Sequence, residues 1–428
     1  MAASPAAAHA PATGGSPPAP LAMAGTARLE SGFESEYGPA TDRGIEHAQG
    51  VSEHPPGRAD SPGADRPFQT VQRLERPFIT AFPGLLSARA SSNVFRYPAN
   101  TVGGTGYHVQ ERMPMKELSI IIVNWNAREF LRACLQSIRE TGQDIDHEII
   151  VVDNASEDGS PEAVQRDFPE VILIQTGANL GFAAANNRGL SRAQGRYFCL
   201  INPDVVLQPD CLRVLLRFMD CNPDTGMAGP RLLNPDHTHQ TSTTRHPGPL
   251  DSWKKALFLH RLAGRRRMDD PCIRDVPVLY GMFWIISRAA WSRVGGLDER
   301  FFMYGEDMDW CKRFHDHRFR VVYVPYATAF HEGAGSSRRV PVQMAIQLRQ
   351  SRLLYFNKHH GCLPRLIDLS GLMAESLIRL VLGVLLVPLG IRDREWLTGY
   401  LFRHAVCLRW LIRRGGGFVF QRSGYPLA

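Results

Sequence analysis

The run LSIIIV at residues 118–123 does more than any other segment to limit what this chain can become. It is apolar nearly throughout and does not alternate with polar residues. It therefore predicts a strand covered on both faces, as in a parallel sheet. The run stops at Asn124, and the segment REFLRACLQSIR at 128–139 then places Phe130, Leu131, Cys134, Leu135 and Ile138 at helical spacing. The alternation recurs. Strands are expected at 148–152, ending at Asp153, at 171–174, and at 197–201, ending at Asn202-Pro203-Asp204, with helices at 160–166 and 182–193. This pattern predicts an α/β domain with a mostly parallel central sheet and helices on both faces. Such sheets bind ligands beyond the carboxyl ends of their strands, where Asn124, Asp153 and Asp204 fall.

Further along the signal loosens. A helix is expected at 210–218 and a strand at 226–229. The polar, basic stretch 234–270 reads as a loop with a short helix near 253–262, followed by strands at 278–287 and 320–324 and the start of a helix within 299–313. Residues 116–360 are thus expected to form the folded domain. Residues 1–115 are rich in Ala, Pro, Gly and Ser, a composition that cannot offset the entropy of ordering the backbone, and they are expected to be a disordered extension.

Residues 361–428 read as a basic, Leu-rich helical tail. The formal net charge of +7 is concentrated near this end, since from residue 338 onward fourteen Lys and Arg face four Asp and Glu. Nucleic acid is not an expected partner, because zinc-finger spacing is absent and the basic residues are not interleaved with aromatics. An anionic membrane surface is the expected partner. The eight Cys include no C-x-x-C pair and read as reduced, mostly buried thiols of a cytosolic protein. The first 25 residues lack a basic start followed by an apolar core, so no secretory leader is expected.

Several polar residues are placed for chemistry, each with a plainer reading beside it. Asp204 follows a strand and a stiffening Pro; it suits a divalent cation that shares phosphate oxygens, and it equally suits an Asx turn. Asp153 can accept from a pyrimidine N–H or a ribose hydroxyl, while Ser160 reads as a helix cap. Neither G-x-G-x-x-G nor G-x-x-x-x-G-K occurs here, which argues against dinucleotide-fold and P-loop phosphate binding. In Glu306-Asp307-x-Asp309, residues 307 and 309 are two apart and do not share a helix face. Asp307 can then act as a general base while Asp309 pairs with a neighbouring base or caps the helix; alternatively all three simply complement the helix dipole. His331 is either a ligand to a cation beside Asp204 or incidental, and the HEGAGSS segment it opens could wrap a pyrophosphate with backbone N–H groups.

The order and detail of these segments are more specific than any one of them. IIIVNWNAREFLRACLQSI (120–138), EIIVVDNASEDGS (148–160), NLGFAAANNRGL (179–190), INPDVVL (201–207), GPRLLNPD (229–236), GGLDERFFMYGEDMDWCKR (295–313) and HEGAGSS (331–337) resemble family 2 of the inverting glycosyltransferases, and within it the rhamnosyltransferase-like branch. The resemblance covers residues 118–360. It implies the GT-A nucleotide-diphospho-sugar transferase fold, a nucleotide-sugar donor, and Mg²⁺ or Mn²⁺ as cofactor. It implies that Asp153, with Asn154, contacts the nucleotide base, and that Asn124, Asn126, Gly181, Asn186, Asp204 and Gly281 belong to the donor site. Asn202-Pro203-Asp204 stands on the family's D-x-D motif with Asn in the first place, which leaves Asp204 as the metal carboxylate and His331 as its partner ligand. Asp307 matches the catalytic base. The segment from Gly281 to Arg288 is implied to line the donor and acceptor sites. Tyr280, where the branch commonly has Ser, and Glu332, where it has His or a small residue, are departures.

The donor implied is dTDP-rhamnose, with UDP-GlcNAc, UDP-galactose and GDP-mannose as alternatives for the same chemistry. The acceptor implied is a hydroxyl of a cell-envelope or polysaccharide glycan, free or lipid-linked. A nucleotidyltransferase would carry a Gly-rich loop with Arg or Lys after the first strand, where this chain reads NWNARE. A non-catalytic relative would be expected to have lost Asp204 or Asp307.

The tail adds a location. Leu366, Leu369, Met373, Leu377 and Leu380 recur along one helix face, and the apolar run 380–389 has only ten residues, half of the roughly 20 a membrane span needs. A second surface helix is expected at 396–414. The expected place is cytoplasmic, at the inner face of the plasma membrane, held there peripherally. The composition of the N-terminal extension yields a prediction: a chain beginning at Met113 keeps the sugar-transfer activity of the full chain within about twofold, measured as initial rate. Insoluble or inactive product would show that the extension belongs to the fold.

Overall fold

The computed structural model describes residues 115–261, 272–333, 341–386 and 394–414. The N-terminal extension, the rest of HEGAGSS after Gly333 and the end of the 380–389 run lie outside these residues. In chain order come β1 (Leu118–Asn124), α1 (Arg128–Thr141), β2 (His147–Asp153), α2 (Ser160–Asp167), β3 (Ile172–Gln175), α3 (Phe182–Arg192), β4 (Tyr197–Ile201), β5 (Val205–Leu207), α4 (Cys211–Cys221) and β6 (Thr225–Leu233). The stretch expected to be mostly loop holds β7 (His239–Gln240), β8 (Thr243–Thr244) and α5 (Asp251–Ala256), followed by β9 (Arg274–Asp275) and β10 (Val278–Leu279). Then come β11 (Phe283–Ser287), α6 (Arg288–Val294), α7 (Glu306–Asp316), β12 (Arg320–His331), α8 (Pro341–His359), α9 (Cys362–Leu386) and α10 (Arg394–Arg414).

The main sheet runs β3-β2-β1-β4-β11-β6-β12-β5. Its first four strands are parallel, as their uninterrupted apolar sequences require. Beyond β4 the sheet is mixed rather than mostly parallel: β12 runs parallel to β6, while β11 and β5 run antiparallel to their neighbours. The apolar stretch 278–287 is not one strand. It breaks after Leu279: β10 pairs with β8 in a separate ribbon, while β11 inserts antiparallel to both β4 and β6. The two faces of the sheet carry separate cores. Ile120, Ile122 and Val151 pack with Leu131, Leu135 and Ile138 of α1 and with Leu212 and Leu215 of α4. Ile121, Ile150 and Val152 pack with Ala183 and Leu190 of α3 and with Trp310 and Phe314 of α7. Phe130, expected on the inner face of α1, is exposed at its edge. All eight Cys are free thiols, and Cys134, Cys199, Cys211, Cys311 and Cys407 are buried.

Helices α9 and α10 pack against the rest of the same compact unit. The Ser252 hydroxyl on α5 donates to Asp368 on α9 at 2.7 Å, and the Arg352 guanidinium on α8 forks onto the same carboxylate at 2.7–2.9 Å. Leu353, Leu372 and Leu411 join α8, α9 and α10, with Leu369 and Met373 packed against them. Of the residues expected on one tail face, Leu366 and Leu377 instead point outward. Among the described residues no helix is long and apolar enough to cross a membrane.

One buried carboxylate ties α7 to α8. Asp309 receives Arg313 Nε at 2.9 Å, His359 Nε2 at 2.7 Å and Lys358 Nζ at 2.6 Å. Burial pushes its pKa up, but the His359 hydrogen bond, the Arg313 charge and Lys358 more than offset this and hold it below the usual carboxylate range. Asp309→Asn would leave three cationic or polar groups around a neutral amide. Breaking a buried pair costs about 3–5 kcal/mol; because Lys358 keeps Asp298 at 2.7 Å, a loss near the lower end, about 3 kcal/mol, is expected. Thermal unfolding should show a midpoint lowered by roughly 6–12 °C. An unchanged midpoint would remove Asp309 from this role.

Candidate active site

The carboxyl ends of β1, β2 and β4 lie side by side, with Asn124 opposite Asp153 in the parallel register. Asn124 is fully buried; its Nδ2 donates to Asp153 Oδ1 at 3.1 Å and to Ser156 Oγ at 3.0 Å. Asp153 Oδ2 accepts from the Ser156 backbone N–H at 3.0 Å. Asn126 has φ +52°, in the left-handed region that Asn tolerates, and its Oδ1 accepts from the Glu157 N–H at 2.7 Å. Asn124, Asn126 and Asp153 therefore build one floor at the strand ends.

Asn154 and Gly181, implied as donor contacts, each also have a scaffolding task. Asn154 donates to Asn179 Oδ1 at 2.9 Å and accepts from the Leu180 N–H at 2.9 Å, so both ends of its amide hold the loop that enters α3. Gly181 has φ +83°, and a Cβ there would stand 2.4 Å from the Phe302 carbonyl oxygen. The Phe182 N–H donates to that same oxygen at 2.7 Å. Only glycine permits this approach, and through it the 179–182 loop supports the segment leading to Asp307. Asn186 is buried within α3 and donates to the Phe182 carbonyl at 2.9 Å.

Asp204 and His331 meet because of a short strand. β5 pairs antiparallel with the end of β12, Val205 opposite His331, and the Glu332 N–H donates to the Asp204 carbonyl at 3.1 Å. Asp204 Oδ1 and His331 Nε2 then face each other at 3.3 Å, both residues buried. The partner that orients the imidazole is Gln240 on β7. Its Oε1 lies 2.7 Å from His331 Nδ1, and its Nε2 donates to the His331 carbonyl at 3.4 Å. That second bond fixes the amide, so Nδ1 carries a proton and, in the tautomer a metal ligand needs, the Nε2 lone pair faces Asp204. Asp204 Oδ1 is buried and has no hydrogen-bond donor. A lone pair facing an unpartnered carboxylate oxygen suits a cation bound between them, and the Nδ1–Gln240 bond is the outer support such a ligand needs. Among the described residues no third His, Cys, Asp or Glu joins the group, a number that suits Mg²⁺ or Mn²⁺ sharing phosphate and water oxygens. Gln240 sat in a stretch whose sequence carried little signal, and no local pattern marks it.

Asp307 opens α7. It follows Tyr304 and Gly305, both in the left-handed region with φ +65° and +82°. This turn is held from α8 by Ser351, whose hydroxyl donates to the Met303 carbonyl at 2.9 Å. Asp307 Oδ1 accepts from the Met308 N–H at 2.7 Å. Burial raises its pKa to about 6, a rise limited by the backbone N–H groups of Met308, Asp307 and Gly305. Glu306 beside it is pushed well up by burial and then by the Asp307 charge, and its Oε2 is buried without a donor. Tyr280 lies close enough to Asp307 that the carboxylate charge adds to burial in raising the phenol, while a hydrogen bond to Thr244 opposes it.

Gly281 sits against Trp284 and Phe182, and the Asn202 N–H donates to the Met282 carbonyl at 3.0 Å, so the N-P-D loop touches the same turn. Arg288, at the other end of the implied 281–288 lining, is not at this site. Five-residue β11 carries it to the start of β4, where it donates to the Gly195 and Ala193 carbonyls at 2.6 and 2.8 Å and lies over Phe198.

The chain is similar to several known proteins. Residues 119–295 match the family described as Glycosyl transferase family 2. The N-acetylglucosaminyl-diphospho-decaprenol L-rhamnosyltransferase of Mycobacterium tuberculosis is 30% identical over 239 residues, which span 50% of this chain and 76% of the relative. A low-salt glycan biosynthesis hexosyltransferase of Haloferax volcanii is 25% identical over 227 residues, 52% of this chain and 69% of its own. Among solved structures, a mannosyltransferase of Pyrobaculum calidifontis in complex with GDP-Man and Mn²⁺ is similar at 17% identity and a TM-score of 0.40, over 70% of this chain and 91% of that one. On the family match and the mycobacterial relative, the chain belongs to glycosyl transferase family 2, a nucleotide-sugar-dependent glycosyltransferase whose mixed sheet and flanking helices form a GT-A-like fold.

Proposed function

We propose that the chain is an inverting hexosyltransferase that moves L-rhamnose from dTDP-rhamnose to a hydroxyl of a cell-envelope glycan carried on a lipid diphosphate. The observation that carries the chemistry is Asp307, a buried carboxyl raised to about 6 at the end of a braced turn. A base with that pKa is ionised near neutral pH yet binds a proton more readily than an ordinary carboxylate. Asp307 takes the acceptor hydroxyl's proton as its oxygen attacks the anomeric carbon, and the configuration there inverts. Asp204 and His331 would hold Mg²⁺ or Mn²⁺, which when bound offsets charge on the departing diphosphate. Asn124, Asn126 and Asp153 form the floor on which the nucleotide rests. The rhamnose and the lipid-linked acceptor are supported by the name of the mycobacterial relative. The lipid carrier supports placing the enzyme in the cytoplasm, at the inner face of the plasma membrane. A panel of nucleotide sugars offered to the purified protein tests the donor: dTDP-rhamnose should bind and be turned over, and preferential use of UDP-GlcNAc, UDP-galactose or GDP-mannose would replace it.

Asp307→Asn should lower kcat by roughly 10²–10⁴-fold with donor affinity nearly unchanged. A variant that keeps more than about one tenth of the rate would exclude Asp307 as the base. The wild-type rate should fall as pH drops through about 6, not through the ordinary Asp value. The linked stability effect has the opposite sense. Because the folded pKa is raised, the folded state binds more protons than the unfolded state between about 4 and 6. Stability therefore decreases as pH rises through that window, and Asp307→Asn should be no less stable than wild type at pH 7.5.

Donor binding should also depend on the cation. Calorimetric titration of the nucleoside diphosphate should show tighter binding with Mg²⁺ or Mn²⁺ than without. Gln240→Leu should weaken divalent-cation affinity by about 10–100-fold, the usual cost of losing an orienting partner. Equal diphosphate affinity with and without metal would remove Asp204 and His331 from this role.

A further inference from the structure

Helix α9 is built inside out. Its inward face carries Asp368, Gly371, Leu372, Glu375, Ser376, Arg379 and Gly383, one per turn or nearly so, and Asp368, Glu375 and Ser376 are at most 1% exposed. Its outward face, about 180° around, carries Leu363, Leu366, Leu377, Val381, Val384 and Leu385, exposed by 51–65%. The inward polar residues are engaged within the protein. Asp368 holds Ser252 and Arg352, Glu375 faces Arg379 at 3.7 Å, and Arg379 lies over the Phe258 ring at 4.8 Å. The glycines mark close helix approach: a Cβ at Gly371 would stand 2.8 Å from the Trp253 backbone, and one at Gly383 would stand 2.6 Å from Leu401. In water this arrangement is unfavourable twice over, since it wets large aliphatic side chains and buries ionisable ones. Both terms ease when the outer solvent is hydrocarbon, where polar and charged side chains face the protein interior.

The geometry points to an interfacial docking face for an anionic phospholipid bilayer. The stripe from Leu363 to Leu385 is about 33 Å long at 1.5 Å per residue. On the α5 side, Leu257 and Leu259, which flank Phe258 under Arg379, are exposed as well. Exposed cations border exposed apolar residues in the chain: Lys254 and Arg261 stand either side of Leu257 and Leu259, and Arg409 and Arg413 stand either side of Ile412 on α10, itself 64% exposed. Aliphatic side chains bordered by Lys and Arg match an acyl layer beneath anionic headgroups. A second copy of this chain would bring the same cations against themselves, which disfavours that occupant. This inference deepens the proposed placement at a membrane by naming the face that makes it. Its readout is binding, so its failure would leave the transferase reading intact.

The test is flotation of the full chain with phosphatidylcholine vesicles, with and without phosphatidylglycerol. Wild type should float with the mixed vesicles, less with phosphatidylcholine alone, and less in high salt, because the headgroup attraction is screened. Val381→Glu combined with Leu385→Glu, at two exposed positions, should reduce partition at least about tenfold while leaving the unfolding midpoint and soluble nucleotide-sugar hydrolysis unchanged. The milder pair Val381→Ser and Leu385→Ser covers the case in which the charged pair does not fold, and should reduce partition several-fold. Undiminished flotation of these variants would overturn the proposal. So would a wild-type chain that ignores vesicles but sediments as a dimer that the same variants dissociate.

Discussion

Three residues of β5 decide what the carboxyl ends of the sheet can do. Without its antiparallel pairing to β12, Asp204 would end a parallel strand as a turn residue, and His331 would end another strand elsewhere on the sheet. The ladder sets Val205 opposite His331 and so places the preceding carboxylate against the imidazole. Gln240 then fixes which ring nitrogen faces it. Backbone hydrogen bonds supply the position and a side-chain amide supplies the orientation. The position comes from the regular ladder, whereas the orientation comes from a residue of the low-signal stretch 234–270.

A second division of labour separates the acids of α7. Asp307 and Asp309 are two residues apart, so they leave the helix in different directions, and their surroundings push their pKa values apart. Asp309 faces Arg313, Lys358 and His359 and is held ionised as a structural anchor. Among the described residues no cation pairs with Asp307; burial dominates, and its carboxyl rises into the range of a working base. The anchor and the base are coupled through α8. Lys358 and His359 hold Asp309 while Ser351, two turns earlier, holds the turn before Asp307.

The sequence made the parallel half of the sheet legible because each of its strands is an unbroken apolar run with a helix-period segment after it. It also marked the acids and His331, because they close strands or open a helix. It did not reveal the reversal at β11, since an apolar stretch such as 278–287 carries no sign of strand direction. It did not show that Asn154 and Gly181 also build the loop entering α3, and it misplaced Arg288, for a related reason. Membership of a motif tells that a residue is required near a site, but not whether it meets the ligand or holds the backbone that does. Asn154 spends its amide on the 179–181 loop, and Arg288 is spent at the far end of the sheet. Gln240 was invisible because its partner, His331, is distant in sequence and β7 is only two residues long.

The tail shows the limit of helical periodicity from the other side. Spacing of leucines finds an apolar face, but it does not say whether that face turns toward the protein or away from it. On α9 the deciding residues are the ionisable and small ones. Asp368 finds Ser252 and Arg352, Gly371 admits the α5 backbone, and Glu375 and Arg379 follow one and two turns later on the same side. Once those are seated inward, 3.6 residues per turn leaves Leu366, Leu377, Val381 and Val384 no direction but out. The same helix thus secures α5 and α8 to one another through its polar face and offers its apolar face to whatever lies beyond the protein.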